Sequence, residues 1–268
     1  RAYVDRRTIL FYPDGPLEFH AIYKLLLYLG YRITTDPRKH YDCAIKWWRA
    51  FDGNPFVPQA GIKTRLRKGL DSSRSLNATC DDISKERVNA IFDEVFPYSI
   101  TVDPAVYHGK CVMKSNWNAL HEGKIVDCPV EKKNNSIVYQ RLINNERADG
   151  YIEDMRVPVF KGIIPFIYLK YRSVEDRFVD RKHTGKRAVI AEKDVKLTAQ
   201  ELEKIAEFSE KLGLDYGELD VLRDKADGRI YIVDANNTPS GPTSAISDNE
   251  GRHAVKRMAH TFEQAIGV

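Results

Sequence analysis

The sequence predicts an α/β (α+β) fold in which a small N-terminal parallel lobe precedes antiparallel sheets that carry helices. Three observations predict it. Apolar strand, amphipathic helix and apolar strand follow one another within residues 8–48, the order of a parallel α/β unit. Thr198-Ala199-Gln200-Glu201 is a capping box, with Thr198 capping and Glu201 reciprocating, ahead of a helical apolar stripe. Two apolar runs joined by Lys225-Ala226-Asp227-Gly228 read as an antiparallel hairpin, because Asp-Gly tolerates the positive φ of such a turn.

Residues 8–12 form the first strand and run into the turn Pro13-Asp14-Gly15-Pro16, which lacks the G-x-G-x-x-G spacing of a dinucleotide loop. A helix is expected over 17–28, with Ile22, Leu25, Leu26 and Leu29 on one side and Gly30 as its stop. Residues 31–34 and 42–48 are the next strands. In the latter, Trp47 and Trp48 read as a core residue beside a surface neighbour, or as the lining of a site. From 53 to 77 the composition turns to Pro, Gly, Ser and base, including Lys63, Arg65, Arg67, Lys68 and Arg74; this is a solvated connection or an anion-binding lid.

Asp82 or Ser84 caps a helix whose apolar face is Val88, Ile91, Phe92 and Val95. Strands are expected at 98–102, at 110–116 with Lys114 near its end, and at 137–143, and a polar loop fills 116–123. Next come a strand with Asp154 and Arg156 and a partner at 167–172, where alternation puts Lys170 and Arg172 on one face. A polar loop covers 176–186. The helix begun at Thr198 stops at Gly213 and leads into the hairpin, and the tail from 253 to 266 is a closing amphipathic helix.

At 268 residues, 43% of them hydrophobic, the chain can bury a core and fill two or three small lobes. Its 42 basic residues nearly balance 38 acidic ones, and no long basic run points to nucleic acid. Cys43, Cys80, Cys111 and Cys128 are too scattered for a zinc motif and read as reduced thiols of a cytoplasmic protein. No stretch has the roughly 20 apolar residues of a membrane span, and no secretory signal opens the chain.

The hairpin carries the most chemistry. Asp220 lies in its first strand, Asp234 ends the second, and Asn236 follows two residues on, returned to the same face. Three hard oxygen ligands of this kind suit magnesium, with manganese an alternative. The same residues also make a solvated hairpin followed by a polar turn.

Residues 82–242 resemble the ATP-grasp superfamily in consistent order, above all through Asp234-Ala235-Asn236-Asn237-Thr238-Pro239, with Ser240 where glycine is usual. The pattern is nearest to the ligases that add amino acids to peptides or proteins. The resemblance implies an N-terminal lobe and basic connection over 1–80, a central lobe over 81–145 and a C-terminal lobe over 146–268, with ATP between the last two. Asp220, Asp234 and Asn236 would hold Mg2+. Lys85, Lys114, the hinge Gln140-Arg141-Leu142-Ile143 and Asp154 would bind the nucleotide, and Arg156, Lys170 and Arg172 would act on the transferred phosphoryl group. Arg141 replaces a common acidic residue, and the loop after Lys114 is poor in glycine. The implied activity is ATP-dependent joining of a small-molecule or peptide carboxylate to an amine through an acyl phosphate, with no nucleic-acid or membrane partner and a homodimer as an allowed assembly. Its rivals are an ATP-grasp kinase and a nucleotide-binding protein that has lost catalysis.

Overall fold

The computed structural model describes residues 6–48, 74–116, 123–131, 136–177 and 187–268. Nearly all of the basic connection at 53–77, residues 117–122 of the polar loop with His121, and most of the 176–186 loop lie outside the described residues.

The first unit is a parallel sheet in the order β2-β1-β3-β4, made of β1 (Thr8–Pro13), β2 (Arg32–Thr34), β3 (Cys43–Trp47) and β4 (Ser75–Leu76). Helix α1 (Ala21–Leu29) starts four residues later than expected, because residues 17–20 close a turn in which the His20 amide donates to the Leu17 carbonyl. It ends as expected at Gly30, in the left-handed region at φ 70°. Every residue of β3 is buried, as a central parallel strand requires. Buried Lys46 is held by the Cys80 carbonyl at 2.9 Å and Asp81 at 2.5 Å.

Helix α2 (Lys85–Val95) is capped by Ser84, whose hydroxyl accepts from the Arg87 amide. After it comes an antiparallel sheet in the order β6-β5-β7, made of β5 (Gly109–Ser115), β6 (Lys124–Cys128) and β7 (Ile137–Arg141). The strand expected at 98–102 is reduced to a single bridge between Thr101 and Gln140. Asp93 and Ser99 accept from the amides of Ile100 and Thr101, so side chains take what a strand would have used.

The third unit is an antiparallel sheet in the order β10-β9-β8-β11-β12. Its strands are β8 (Tyr151–Phe160), β9 (Ile167–Ser173), β10 (Arg187–Ala191), β11 (Tyr216–Arg223) and β12 (Ile230–Asn236). Between β10 and β11 lie the short α3 (Lys193–Lys196) and α4 (Ala199–Leu212), the latter begun by the expected Thr198–Glu201 capping box and ended at Gly213. The last helix, α5 (Asp248–Ala265), begins five residues before the expected 253, because Ser247 and Glu250 form a second capping box.

The two faces of this sheet do different work. On one, Met155, Val157, Leu219 and Val221 pack with Val88, Ile91 and Phe92 of α2 and with Ile205, Phe208 and Leu212 of α4. On the other, Phe160, Phe166, Tyr168 and Tyr216 pack under Ile22 and Leu25 of α1 and Met258 and Phe262 of α5. Each large apolar side chain fully buried in these layers contributes roughly 1.5–3 kcal/mol relative to exposure. The segment after β12 is stitched to the start of α1: the Ala21 amide donates to the Pro239 carbonyl, Lys24 Nζ to the Gly241 carbonyl at 2.7 Å, and the Gly241 amide to the Phe19 carbonyl.

Candidate active site

Beyond the aromatic layer, the same sheet face turns polar. Across β8, β11 and β12, Arg156 lies opposite Asp220 and Asp220 opposite Asp234, while Glu218 lies opposite Asn236. On the other side of β8, Asp154 lies opposite Lys170. Alternation therefore gathers Asp154, Arg156, Lys170, Arg172, Glu218, Asp220, Asp234 and Asn236 on one face. A bulge between Asp220 and Val221 breaks the pairing just past the carboxylate pair.

The charges on this face are ordered. Arg156 grips Asp220 with two hydrogen bonds, Nε to Oδ1 at 2.9 Å and Nη2 to Oδ2 at 3.1 Å, the fork geometry that favours arginine over lysine. Burial alone would raise the Asp220 carboxyl, but Arg156 and then Lys170 outweigh it and hold it well below the usual range. Among the described residues Asp234 has no such bidentate partner. Burial raises its carboxyl, Lys85 opposes that from 3.9 Å, and Asp220 pushes it up again. Asp154 is almost fully buried, with one oxygen taken by Arg172 and the other by Asn145 Nδ2 at 2.8 Å. Arg177 donates to Asn145 Oδ1 and to the Ile143 carbonyl, which links the 143–145 segment to Arg172 through side chains. Asn236 Oδ1 accepts from the Thr238 amide at 2.9 Å.

Two lysines approach from the other side of the cleft. Lys85 is the first residue of α2, where a cation opposes the helix dipole; Asp234 offsets that cost. Asn116, just past β5, accepts from the Glu86 amide through Oδ1 and from the Lys85 amide through its own carbonyl. That clamp joins the end of β5 to the start of α2 and so brings Lys114 beside Lys85. Burial pulls the Lys114 ammonium down to about 8, Asp234 opposes the shift, and Lys85 adds to it.

The hinge residues occupy the far end. Gln140 turns its side chain into α2, donating to Asn89 Oδ1 at 2.6 Å, while its buried Oε1 makes no hydrogen bond. Arg141 lies over the Tyr231 ring, 5.9 Å from its centroid. Leu142 and Ile143 line a cavity of about 480 Å³ with Ile125 and Val174, and Glu146 and Glu175 stand at its wall.

No family model matches the sequence, and no curated protein matches it either. Solved structures do match, over almost the entire chain. The ATP-grasp ligase PsnB, complexed with a minimal precursor, shares 11% identity at a TM-score of 0.60, covering 98% of this chain and 99% of that one. D-alanine–D-alanine ligase from Bacillus anthracis shares 13% at 0.56, covering 98% of each chain. The macrocyclase MdnC from Microcystis aeruginosa MRC, bound with precursor peptide MdnA, shares 11% at 0.56, covering 97% of this chain and 99% of that one. The chain has the ATP-grasp fold.

An ATP-grasp fold implies a divalent cation at this end of the sheet, and the donor set fits one. Among the described residues no three His, Cys, Asp or Glu side chains converge, so these side chains alone make no full cage for any metal, and a cation here would need further oxygens from a ligand or water. Two carboxylates facing each other in register, with Asn236 two residues past Asp234 on the same face, suit a hard cation, which would offset the burial and the Asp220 charge that together raise Asp234. Sequence reasoning missed Glu218, Asn145 and Asn116. Glu218 was within reach, since a charged residue two places before Asp220 in a strand must share its face. It is 3% exposed, its Oε2 makes no hydrogen bond, and its nearest cation, Arg156 Nε at 3.5 Å, is committed to Asp220. Asn145 and Asn116 act through long-range contacts that local spacing does not encode.

Proposed function

We propose that this chain is an ATP- and Mg2+-dependent ligase that joins a carboxylate to an amine, with the γ-phosphoryl group passing to the carboxylate and the amine then displacing phosphate. The reading is carried by the row Arg156–Asp220–Asp234 facing Lys85 and Lys114 across one cleft. Cations and carboxylates alternate there in a way that a triphosphate with its metal would complete. Solved structures of this fold support the ligand choice: PsnB with Mg and ADP, and the Bacillus anthracis ligase with ATP.

In this reading the cavity beside Leu142 and Ile143 takes the adenine between apolar walls, and Glu146 or Glu175 accepts from the ribose hydroxyls. Lys114 and Lys85 hold phosphate oxygens as point charges. Arg172, braced by Asp154, and Lys170 and Arg156 neutralise the transferred group. Asp220, Asp234 and Asn236 hold Mg2+, which when bound supplies charge neutralisation and orients the phosphate oxygens. No protein nucleophile is required; positioning and electrostatics do the work. The lobes divide at about 80 and 145, and the acceptor approaches along the N-terminal lobe. Because solved structures of PsnB and MdnC hold the precursor peptides PsnA2 and MdnA, a peptide carboxylate or amine ranks beside small molecules as substrate. The cytoplasm is the proposed compartment; among the described residues no helix is long and apolar enough to cross a membrane.

Asp234→Ala tests the reading. ATP turnover is expected to vanish while the circular dichroism spectrum and melting curve persist, and turnover retained at saturating Mg2+ would refute the metal assignment. A screen of carboxylate and amine pairs for ADP release, with product masses, then names the substrates; a stable phosphoester product would assign a kinase instead.

A further inference from the structure

Two of the four cysteines, scattered in sequence, come together in space. Cys43 and Cys80 are buried in the parallel lobe and under α4, whereas Cys111 in β5 and Cys128 at the end of β6 lie on one face of the hairpin. The register pairs Cys111 with Val126 and Gly109 with Cys128, so the two cysteines are diagonal neighbours. Their Sγ atoms are 3.1 Å apart, and closing to a bond of ~2.05 Å needs about 1 Å of movement. Cys111 is fully buried and Cys128 is partly exposed. One sulfur can therefore meet an external reagent while the other waits beside it.

We propose that Cys111 and Cys128 are a reversible dithiol/disulfide pair, oxidised by a low-molecular-weight disulfide such as glutathione disulfide. The Cys128 thiolate attacks one glutathione sulfur, the S–S bond breaks, and a glutathione thiolate leaves. Cys111 then attacks the Cys128 sulfur, expels the second glutathione, and its proton passes to the departing sulfur. Two protein thiols are oxidised and one glutathione disulfide is reduced to two thiols. Burial and the contact with Cys128 push the Cys111 thiol up to about 12, which agrees with Cys128 as the first attacker. The closed ring encloses Lys114 and the connection from β5 to β6, so the bond staples the base of the hairpin that delivers Lys114. This inference stands apart from the ligase reading, since it rests on the two sulfur atoms alone.

The test uses the full chain, reduced and then exposed to glutathione disulfide, quenched by alkylation under denaturing conditions and weighed. The expected result is two alkyl groups taken up in place of four, a mass lower by those two groups and two hydrogens than the reduced, alkylated chain, one cross-linked peptide pair holding Cys111 and Cys128, and return to four alkylated thiols after dithiothreitol. Cys111→Ser is expected to stop at a stable glutathione adduct on Cys128, and Cys128→Ser to leave Cys111 reduced. Should Cys111→Ser fail to fold, the peptide map of the unaltered chain and the half-exposed Cys128→Ser decide. Persistence of all four thiols, a lasting glutathione adduct on the unaltered chain, or a link through Cys43 or Cys80 would overturn the proposal.

Discussion

Lys114 offers a measurement that ties the structure to nucleotide binding without any knowledge of the acceptor. Its ammonium sits at about 8 rather than 10.5 because burial outweighs the pull of Asp234. Between about 8 and 10.5 the unfolded chain therefore holds more protons than the folded one, so the ligand-free protein gains stability as pH rises through that window. Below about 8 the cost of the buried ammonium is fully present. In the proposed function a bound triphosphate would reverse the balance, pairing with the ammonium and raising it toward or beyond its ordinary value. At pH 8, Lys114 passes from about half charged to nearly fully charged, an uptake of about 0.5 proton per nucleotide; at pH 6.5 it is already charged and contributes almost nothing. Isothermal titration of MgATP in buffers of different ionisation enthalpy reads this number directly. Lys114→Arg supplies the control, since a guanidinium keeps the charge and does not titrate. Equal uptake at pH 8 in Lys114→Arg and the unaltered protein would refute the placement of Lys114 against the phosphates.

Other consequences follow from packing and charge. Gly30 and Gly213 hold the same left-handed conformation, at φ 70° and 71°, yet a Cβ at Gly30 meets nothing within 4 Å while one at Gly213 lands 2.6 Å from Thr79 Oγ1 and 2.9 Å from the Cys80 amide. Gly30→Ala should cost about 1 kcal/mol and Gly213→Ala roughly 2–4 kcal/mol in urea unfolding; equal costs would mean that residues 79–80 do not abut α4. Arg156→Met leaves the partly buried Asp220 without its bidentate partner and should destabilise by roughly 1.5–3 kcal/mol in the same assay. Burial raises the Glu218 carboxyl to about 7, so in Mg2+-free buffer stability falls as pH climbs from about 4.5 to 7. Glu218→Gln should melt higher than the unaltered protein at pH 8 and flatten that slope; a lower Tm at pH 8 would show that the ion pair with Arg156 outweighs the cost of burying the carboxylate.

What was legible in the sequence was local. Gly30, Gly213 and the Thr198 capping box set helix ends through contacts within a turn, and the hairpin placed Asp220 opposite Asp234 across one Asp-Gly turn. The grip of Arg156 on Asp220 depends on β8 pairing with β11, strands 64 residues apart at that contact, and no periodicity encodes that choice of neighbour. The 98–102 segment was misread for a related reason: its apolar pattern suits a strand, but Asp93 at the end of α2 takes the Ile100 amide. Glu218 and the capping box at Ser247 were readable by spacing and were passed over.

The stitch between α1 and the segment after β12 has a mechanical meaning. Asn236 is followed at once by residues whose carbonyls and amides are held by Phe19, Ala21 and Lys24, and the aromatic layer of the same sheet is clamped under α1 and α5. The Asp234–Asn236 end of the cleft and the N-terminal lobe are thus tied together by backbone and side-chain hydrogen bonds. Any opening of the cleft would therefore have to come from the β6-β5-β7 sheet with Lys114, against the hold that Asn116 keeps on the start of α2.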